Sequence, residues 1–168
     1  MQLLLVRHAI AFERDRRRWP QDEDRPLTPQ GTRRCRKAAA GAARLLSRPT
    51  VVLTSPLVRA RDTAAVFTAI ARWPIATECA ALRPGGDPQA ALAALRRTCR
   101  EGALAALFGH QPDLGVLLAL CLRGRARGEG FELKKGAIAC VTFPSEARAG
   151  TGALNWLAPP KFLRAWRR

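Results

Sequence analysis

The stretch Gln2-Leu3-Leu4-Leu5-Val6-Arg7-His8 constrains this chain more than any other. An apolar run long enough for one buried strand stops abruptly at an arginine and a histidine. The run is too short for a helix and reads as a strand. In open α/β sheets ligands bind at the carboxyl ends of the strands, so this run delivers two side chains with charge and proton chemistry to that edge. Two later runs stop in a similar way. Thr50-Val51-Val52-Leu53 ends in Thr54-Ser55-Pro56, and Ala103 to Phe108 ends in Gly109-His110-Gln111-Pro112.

The segments between these runs read as helices. Thr28 is a good N-cap and Pro29 suits the first helical position, where its missing N–H costs nothing, so a helix is expected from Pro29 to Leu46. Ser55 and Pro56 are expected to open a second helix to about Ala71, with Ser55, Arg59 and Thr63 recurring on one face. Ile75 to Ala80 reads as a short edge strand, Leu82 to Pro88 as a turn, Ala90 to Arg100 and Asp113 to Leu122 as helices. Arg123 to Gly130 reads as a basic, glycine-rich turn. Ala137 to Phe143 and Ala153 to Leu157 read as antiparallel strands, and Lys161 to Arg168 as a basic tail. The expected fold class is α/β, a three-layer sandwich with a mostly parallel central sheet flanked by helices. A single domain over 1–163 is expected, with 164–168 as the tail.

Charge narrows the partners. The formal net charge of +16 produces a positive potential that attracts phosphate esters, polyanions or acidic protein faces. The charged stretch Glu13 to Asp24 reads first as a loop with a solvated face and second, lying directly after His8, as a segment that contacts substrate. The five scattered cysteines contain no Cys-x-x-Cys pair, which fits neither a disulfide framework nor a zinc site, and they read as buried small hydrophobes. The apolar start is too short for a signal peptide or a membrane span, so a cytoplasmic protein without a membrane partner is expected.

The chain has two histidines, His8 and His110, and both follow apolar strands. With Arg7 and with Arg59 one turn beyond Ser55, they describe a pocket for a dianion, to which the three strand ends contribute no carboxylate. Phosphoryl is the candidate. A neutral imidazole can attack phosphorus in line, splitting one hard displacement into two easier ones. Guanidinium groups fork onto the non-bridging oxygens and stay charged, doing what Mg²⁺ does elsewhere, and a protonated second histidine adds a donor. No metal or cofactor is therefore expected.

Arg7-His8, Leu27-Thr28-Pro29-Gln30-Gly31, Ser55-Pro56-Leu57-Val58-Arg59-Ala60-Arg61-Asp62-Thr63 and Gly109-His110-Gln111-Pro112 resemble the ordered motifs of the histidine phosphatase (phosphoglycerate mutase-like) superfamily. Within it the chain is most similar to the small SixA-type phosphohistidine phosphatases. Leu82-Arg83-Pro84-Gly85-Gly86-Asp87, the ending Ala137 to Phe143 and Ala153-Leu154-Asn155-Trp156 carry that likeness. The resemblance implies that His8 is the phosphorylated nucleophile, Arg7 and Arg59 are phosphate ligands, and His110 binds phosphate and stabilises the transition state. Ser55 joins the expected substrate-binding set. Larger relatives place a glutamate as proton donor after the second major helix, but Leu82 to Pro88 offers none. Glu78 and Asp87 lack the matching context. Glu13 and Asp22-Glu23-Asp24 are other carboxylates near the site in sequence, and nothing in the sequence assigns either the role.

The expected activity is metal-independent hydrolysis of phosphohistidine in a protein, with phosphate and its mimics as ligands. Neither the segment before Leu27 nor that from Ala80 to Pro88 is long enough for a helical lid, which suits a phosphoryl group displayed on another protein. Two alternatives stay open: a phosphatase for small phosphoesters on the same residues, and a polyanion or nucleic-acid binding module. No nucleic-acid motif is present and aromatics are sparse, which weighs against the second.

Overall fold

The structure is a computed structural model that describes residues 1–100, 102–126 and 131–166. In chain order its elements are β1 (Gln2–Arg7), α1 (Pro29–Leu45), β2 (Val51–Thr54), α2 (Val58–Ala71), β3 (Thr77–Glu78), α3 (Pro88–Thr98), β4 (Leu104–Gly109), α4 (Asp113–Arg123), β5 (Ile138–Thr142), β6 (Ala153–Ala158) and α5 (Pro160–Ala165). One six-stranded sheet runs in the order β3-β2-β4-β1-β5-β6. Its first four strands are parallel, while β5 and β6 are antiparallel to their neighbours.

Alternation along β1 builds the three layers. Leu3 and Leu5 pack on one side with Leu92 and Leu95 of α3 and Leu114 and Leu118 of α4. Leu4 and Val6 face the other side, with Ala39 of α1, Phe67 of α2 and Leu163 of α5. Successive strand residues point to opposite faces, so a strand buried on both must be apolar throughout, as Leu3 to Val6 is.

Register then places the site. Arg7 lies opposite Gly109, and Thr54 opposite Phe108. The residues one step beyond these pairs, His8, His110 and Ser55, therefore emerge side by side at the same sheet edge. The ladder continues into the turns, with His8 N–H donating to the Gly109 carbonyl at 3.0 Å and Ser55 N–H to Phe108 at 2.9 Å.

Several boundaries differ from the sequence reading. The helix expected from Pro56 starts at Val58, because Ser55 Oγ accepts from Leu57 N–H at 3.3 Å within a turn that precedes the helix. Asp87 caps α3 through the Gln89 and Ala90 amides, with Pro88 at the first position, so the helix begins earlier than Ala90. This is the device that Thr28 and Pro29 use on α1. The edge strand β3 spans two residues and gives way to a short 3-10 turn at Ala80–Leu82. The region from Lys161, a docked or frayed terminus in the sequence reading, is docked: Pro160–Ala165 form α5, held through the buried Leu163. Of the expected Arg123 to Gly130 turn, Gly124 supplies the left-handed cap of α4, and positions 127–130 lie outside the described residues. Residues 167–168 of the tail lie outside them too. Three cysteines are buried and Cys79 and Cys99 are half-buried, all five as free thiols.

Candidate active site

His8 is held by its own backbone neighbour. Its Nδ1 lies 2.7 Å from the Ala9 carbonyl, which can only accept, so Nδ1 carries the hydrogen and Nε2 the lone pair. Ala9 is fixed in turn: its N–H donates to Thr63 Oγ1 at 3.0 Å, and that hydroxyl donates to the Arg59 carbonyl at 2.7 Å. Burial, and then Arg59, Arg7 and Lys135, lower the His8 pKa to about 3, against the opposing pull of the Ala9 bond. The ring is therefore neutral near pH 7, with a lone pair available for attack.

His110 stands beside it, the two ring centroids 5.1 Å apart. Its Nε2 is 2.8 Å from Ser55 Oγ. Because Ser55 Oγ already accepts from Leu57 N–H, its proton can go to His110 Nε2, which puts the ring hydrogen on Nδ1. That Nδ1 is buried without a partner. The sequence reading expects a protonated His110. That expectation concerns a ring against a bound dianion; in the protein alone burial first, then His8 and Arg59, lower the His110 pKa to about 3. Ser55, expected among the substrate ligands, meets His110 directly and orients its ring.

The two arginines are each tied at one end. Arg7 Nη1 donates to the Leu133 carbonyl at 2.6 Å. Gln111 holds the 131–133 segment, donating to the Phe131 carbonyl at 2.8 Å and accepting from Leu133 N–H at 3.4 Å. Lys134-Lys135-Gly136 turns the chain next to them. Gly136 takes φ +80° and donates its N–H to both the Arg7 and His8 carbonyls, each at 3.1 Å. Arg59 Nη1 donates to the Asp22 carbonyl at 2.9 Å, and Nη2 lies 3.1 Å from Asp22 Oδ2. The Nε atoms of both arginines are buried and unpartnered.

Asp22 corrects the sequence reading of this pocket. No carboxylate comes from the three strand ends, yet one reaches Arg59 from the 12–26 segment, whose charge run in sequence reads first as a solvated face. Asp22 Oδ1 also binds Arg25 Nε at 2.9 Å and Arg14 Nε at 3.1 Å. Against the cost of burial, these arginines hold its carboxyl down at about 2. Charged loop residues carry no periodicity that would mark one of them as inward-facing, so the sequence offered only proximity. Thr63 did carry a signal, the shared helical face with Arg59.

Three nitrogens on residues neighbouring His8, namely Arg7 Nε, Arg59 Nε and His110 Nδ1, are thus buried without partners of their own. Buried polar groups are almost always satisfied, and three orphaned nitrogens on residues gathered at one sheet edge suit an acceptor-rich anion. Among the described residues no cluster of three or more His, Cys, Asp or Glu side chains is placed to hold a metal ion. No helix among them is long and apolar enough to cross a membrane.

Residues 3–82 match the sequence profile of the histidine phosphatase superfamily (branch 1). An uncharacterized protein of Picosynechococcus sp. is 38% identical over 97% of this chain and 99% of its own length. Among solved structures, the protein histidine phosphatase SixA complexed with tungstate superposes with a TM-score of 0.79 at 26% identity, covering 96% of this chain and 98% of that one. A mycobacterial glucosyl-3-phosphoglycerate phosphatase superposes with a TM-score of 0.74 over 94% of this chain and 98% of its own. At 14% identity it shares the fold.

Proposed function

Because the chain belongs to the histidine phosphatase superfamily, and as a phosphatase, we propose that it removes the phosphoryl group from phosphohistidine in another protein, without a metal. The observation that carries this reading is the trio of buried, unpartnered nitrogens on residues neighbouring the neutral His8.

In the proposed reaction the phosphoryl oxygens accept from Arg7 Nε, Arg59 Nε and His110 Nδ1. His8 Nε2 attacks phosphorus opposite the leaving nitrogen. The new P–N bond forms as the substrate's P–N bond breaks, and the substrate imidazole, its other ring nitrogen already protonated from solvent, leaves as the neutral ring. Water then attacks phosphorus, releasing inorganic phosphate and regenerating neutral His8. In this reading the donors, already ordered and buried, meet the charge of the transferring group with little reorganisation.

Substrate class follows from the leaving group and from access. A phosphorylated imidazole can be protonated on its free ring nitrogen near neutral pH and then leaves as neutral imidazole, whereas a serine or sugar ester must expel a strongly basic alkoxide unless an acid supplies a proton, so phosphohistidine asks less of a general acid. The carboxylate on Arg59, Asp22, is held at about 2 by its arginines, too acidic to carry a proton at neutral pH. The 12–26 segment contributes a single 3-10 turn, Asp22–Asp24, and no lid helix, which suits a phosphoryl group presented on a macromolecule.

The test compares kcat/KM at one ionic strength for a phosphohistidine-bearing protein domain, free phosphohistidine, a phosphoserine peptide and a sugar phosphate. The protein domain is expected to be the best substrate, with a rate that falls as salt rises because the +16 charge aids encounter with an acidic partner. A higher kcat/KM for the sugar phosphate or the phosphoserine peptide would replace this reading with a small-phosphoester phosphatase.

A further inference from the structure

Resting on the reading that an anion sits against Arg59, we propose that Asp22 is a positioning residue. It holds the terminal fork of Arg59 so that the Nε edge faces the phosphoryl group, and its charge keeps the phosphate product from staying bound. A guanidinium offers two forked edges, one formed by its two terminal nitrogens and one by Nε with the adjacent Nη. Asp22 takes the first with two different atoms, its backbone carbonyl on Nη1 at 2.9 Å and its carboxylate on Nη2 at 3.1 Å. The second edge keeps the buried, unpartnered Nε. Arg59 is 4% exposed, so no water-side partner is at hand to fix it in Asp22's place.

The residues around Asp22 show a built contact. Its carboxylate is gripped from behind by Arg25 and Arg14. Arg25 is anchored by donating from Nη1 to the Phe12 carbonyl at 2.6 Å. The base of the segment is closed by the Ala11–Leu27 bridge and by the Phe12 N–H to Pro26 carbonyl bond. On its far side Glu23 pairs with Arg83 at 2.7 Å. The segment is thus pinned at two acidic residues, of which only Asp22 touches the site.

Two consequences follow with opposite signs. Losing the acceptor frees Arg59 to leave its register, which weakens anion binding and slows turnover. Losing the charge while an amide oxygen still meets Nη2 removes a negative neighbour of the bound dianion, which tightens its binding, and turns the amide NH2 towards Arg14 and Arg25. A role limited to holding the loop predicts neither.

Tungstate and inorganic phosphate are titrated calorimetrically into wild type, Asp22→Ala, Asp22→Asn, Glu23→Ala and Arg59→Ala, with kcat measured on free phosphohistidine. Asp22→Ala is expected to weaken tungstate binding about tenfold and to lower kcat, as loss of a charge-assisted bond implies. Asp22→Asn, which keeps the size and one side-chain oxygen for Arg59 Nη2 while giving up the Arg14 and Arg25 contacts, is expected to tighten tungstate and phosphate binding about fivefold. Glu23→Ala, which cuts the other tie, leaves both affinities at the wild-type value. Wild-type affinity in both Asp22 variants, with Arg59→Ala weakened, would overturn the role of Asp22 alone. Wild-type affinity in Arg59→Ala would overturn the anion site and the role of Asp22 with it.

Discussion

The floor of the pocket and the segment that reaches over to it are built in opposite ways. His8, Ser55 and His110 stand on strand ends, and the ladder that pairs β1 with β4 and β4 with β2 sets their spacing before any side chain is considered. Asp22 has no such support. It meets Arg59, 37 residues away, through a carbonyl and a carboxylate on a segment whose only regular structure is one 3-10 turn. In the proposed mechanism the chemistry that tolerates no displacement belongs to the sheet, and the adjustment of charge to the loop, where opening is easier.

If that division holds, substitutions on the floor should cost more than those beyond it. His8→Ala is expected to abolish turnover, because attack by the nucleophile has no substitute. His110→Ala should leave a trace, since the arginines share its electrostatic work. Steady-state rates on phosphohistidine check both, and undiminished activity in His8→Ala would end the assignment of the floor.

Arg59→Ala comes next. Removing a charge-assisted donor to a dianion is expected to cost about 1.5–3 kcal/mol of tungstate affinity, read by calorimetry. Thr63→Val tests how firmly the floor is tied. It keeps the volume but removes the acceptor for Ala9 N–H and leaves that buried amide unpaired. A loss of about 1–3 kcal/mol in stability is expected, with kcat reduced as the Ala9 carbonyl that orients His8 loosens. Thermal melts and kcat report the two parts separately.

The smallest effect near neutrality is the pH dependence of stability. Both histidines have folded-state pKa values near 3, below the ordinary 6.5, so the unfolded chain binds protons more readily between those values. Their contribution is complete above about pH 6.5 and is lost as pH falls towards 3. Melting temperature should be level in this respect above pH 7 and fall on acidification, and a His8→Asn, His110→Asn double variant should fall less steeply. An equally steep fall in the double variant would place the acid sensitivity elsewhere.

What could be read in the sequence follows the same division. Strands buried on both faces must be apolar, so Leu3 to Val6 and Ala105 to Phe108 announced themselves, and the polar residues directly after them marked the site. Thr28-Pro29 gave the start of α1, while the equivalent Asp87-Pro88 was hidden inside a turn rich in proline and glycine. Asp22 was illegible because its partner lies on another element. In a run of arginines and acids, nothing local distinguishes the carboxylate that turns inward from those that face water. The neutral state of His110 was illegible for a related reason, since it depends on burial beside two arginines and a second imidazole.

The most direct test of the account is to mix the protein with a phosphorus-labelled phosphohistidine substrate, quench within one turnover and map the label. The structure leads us to expect one label per chain, labile to acid and stable to base, on His8, and absent from His8→Ala. A label that survives acid, a label on any other residue, or full turnover with no label above background would contradict transfer to His8.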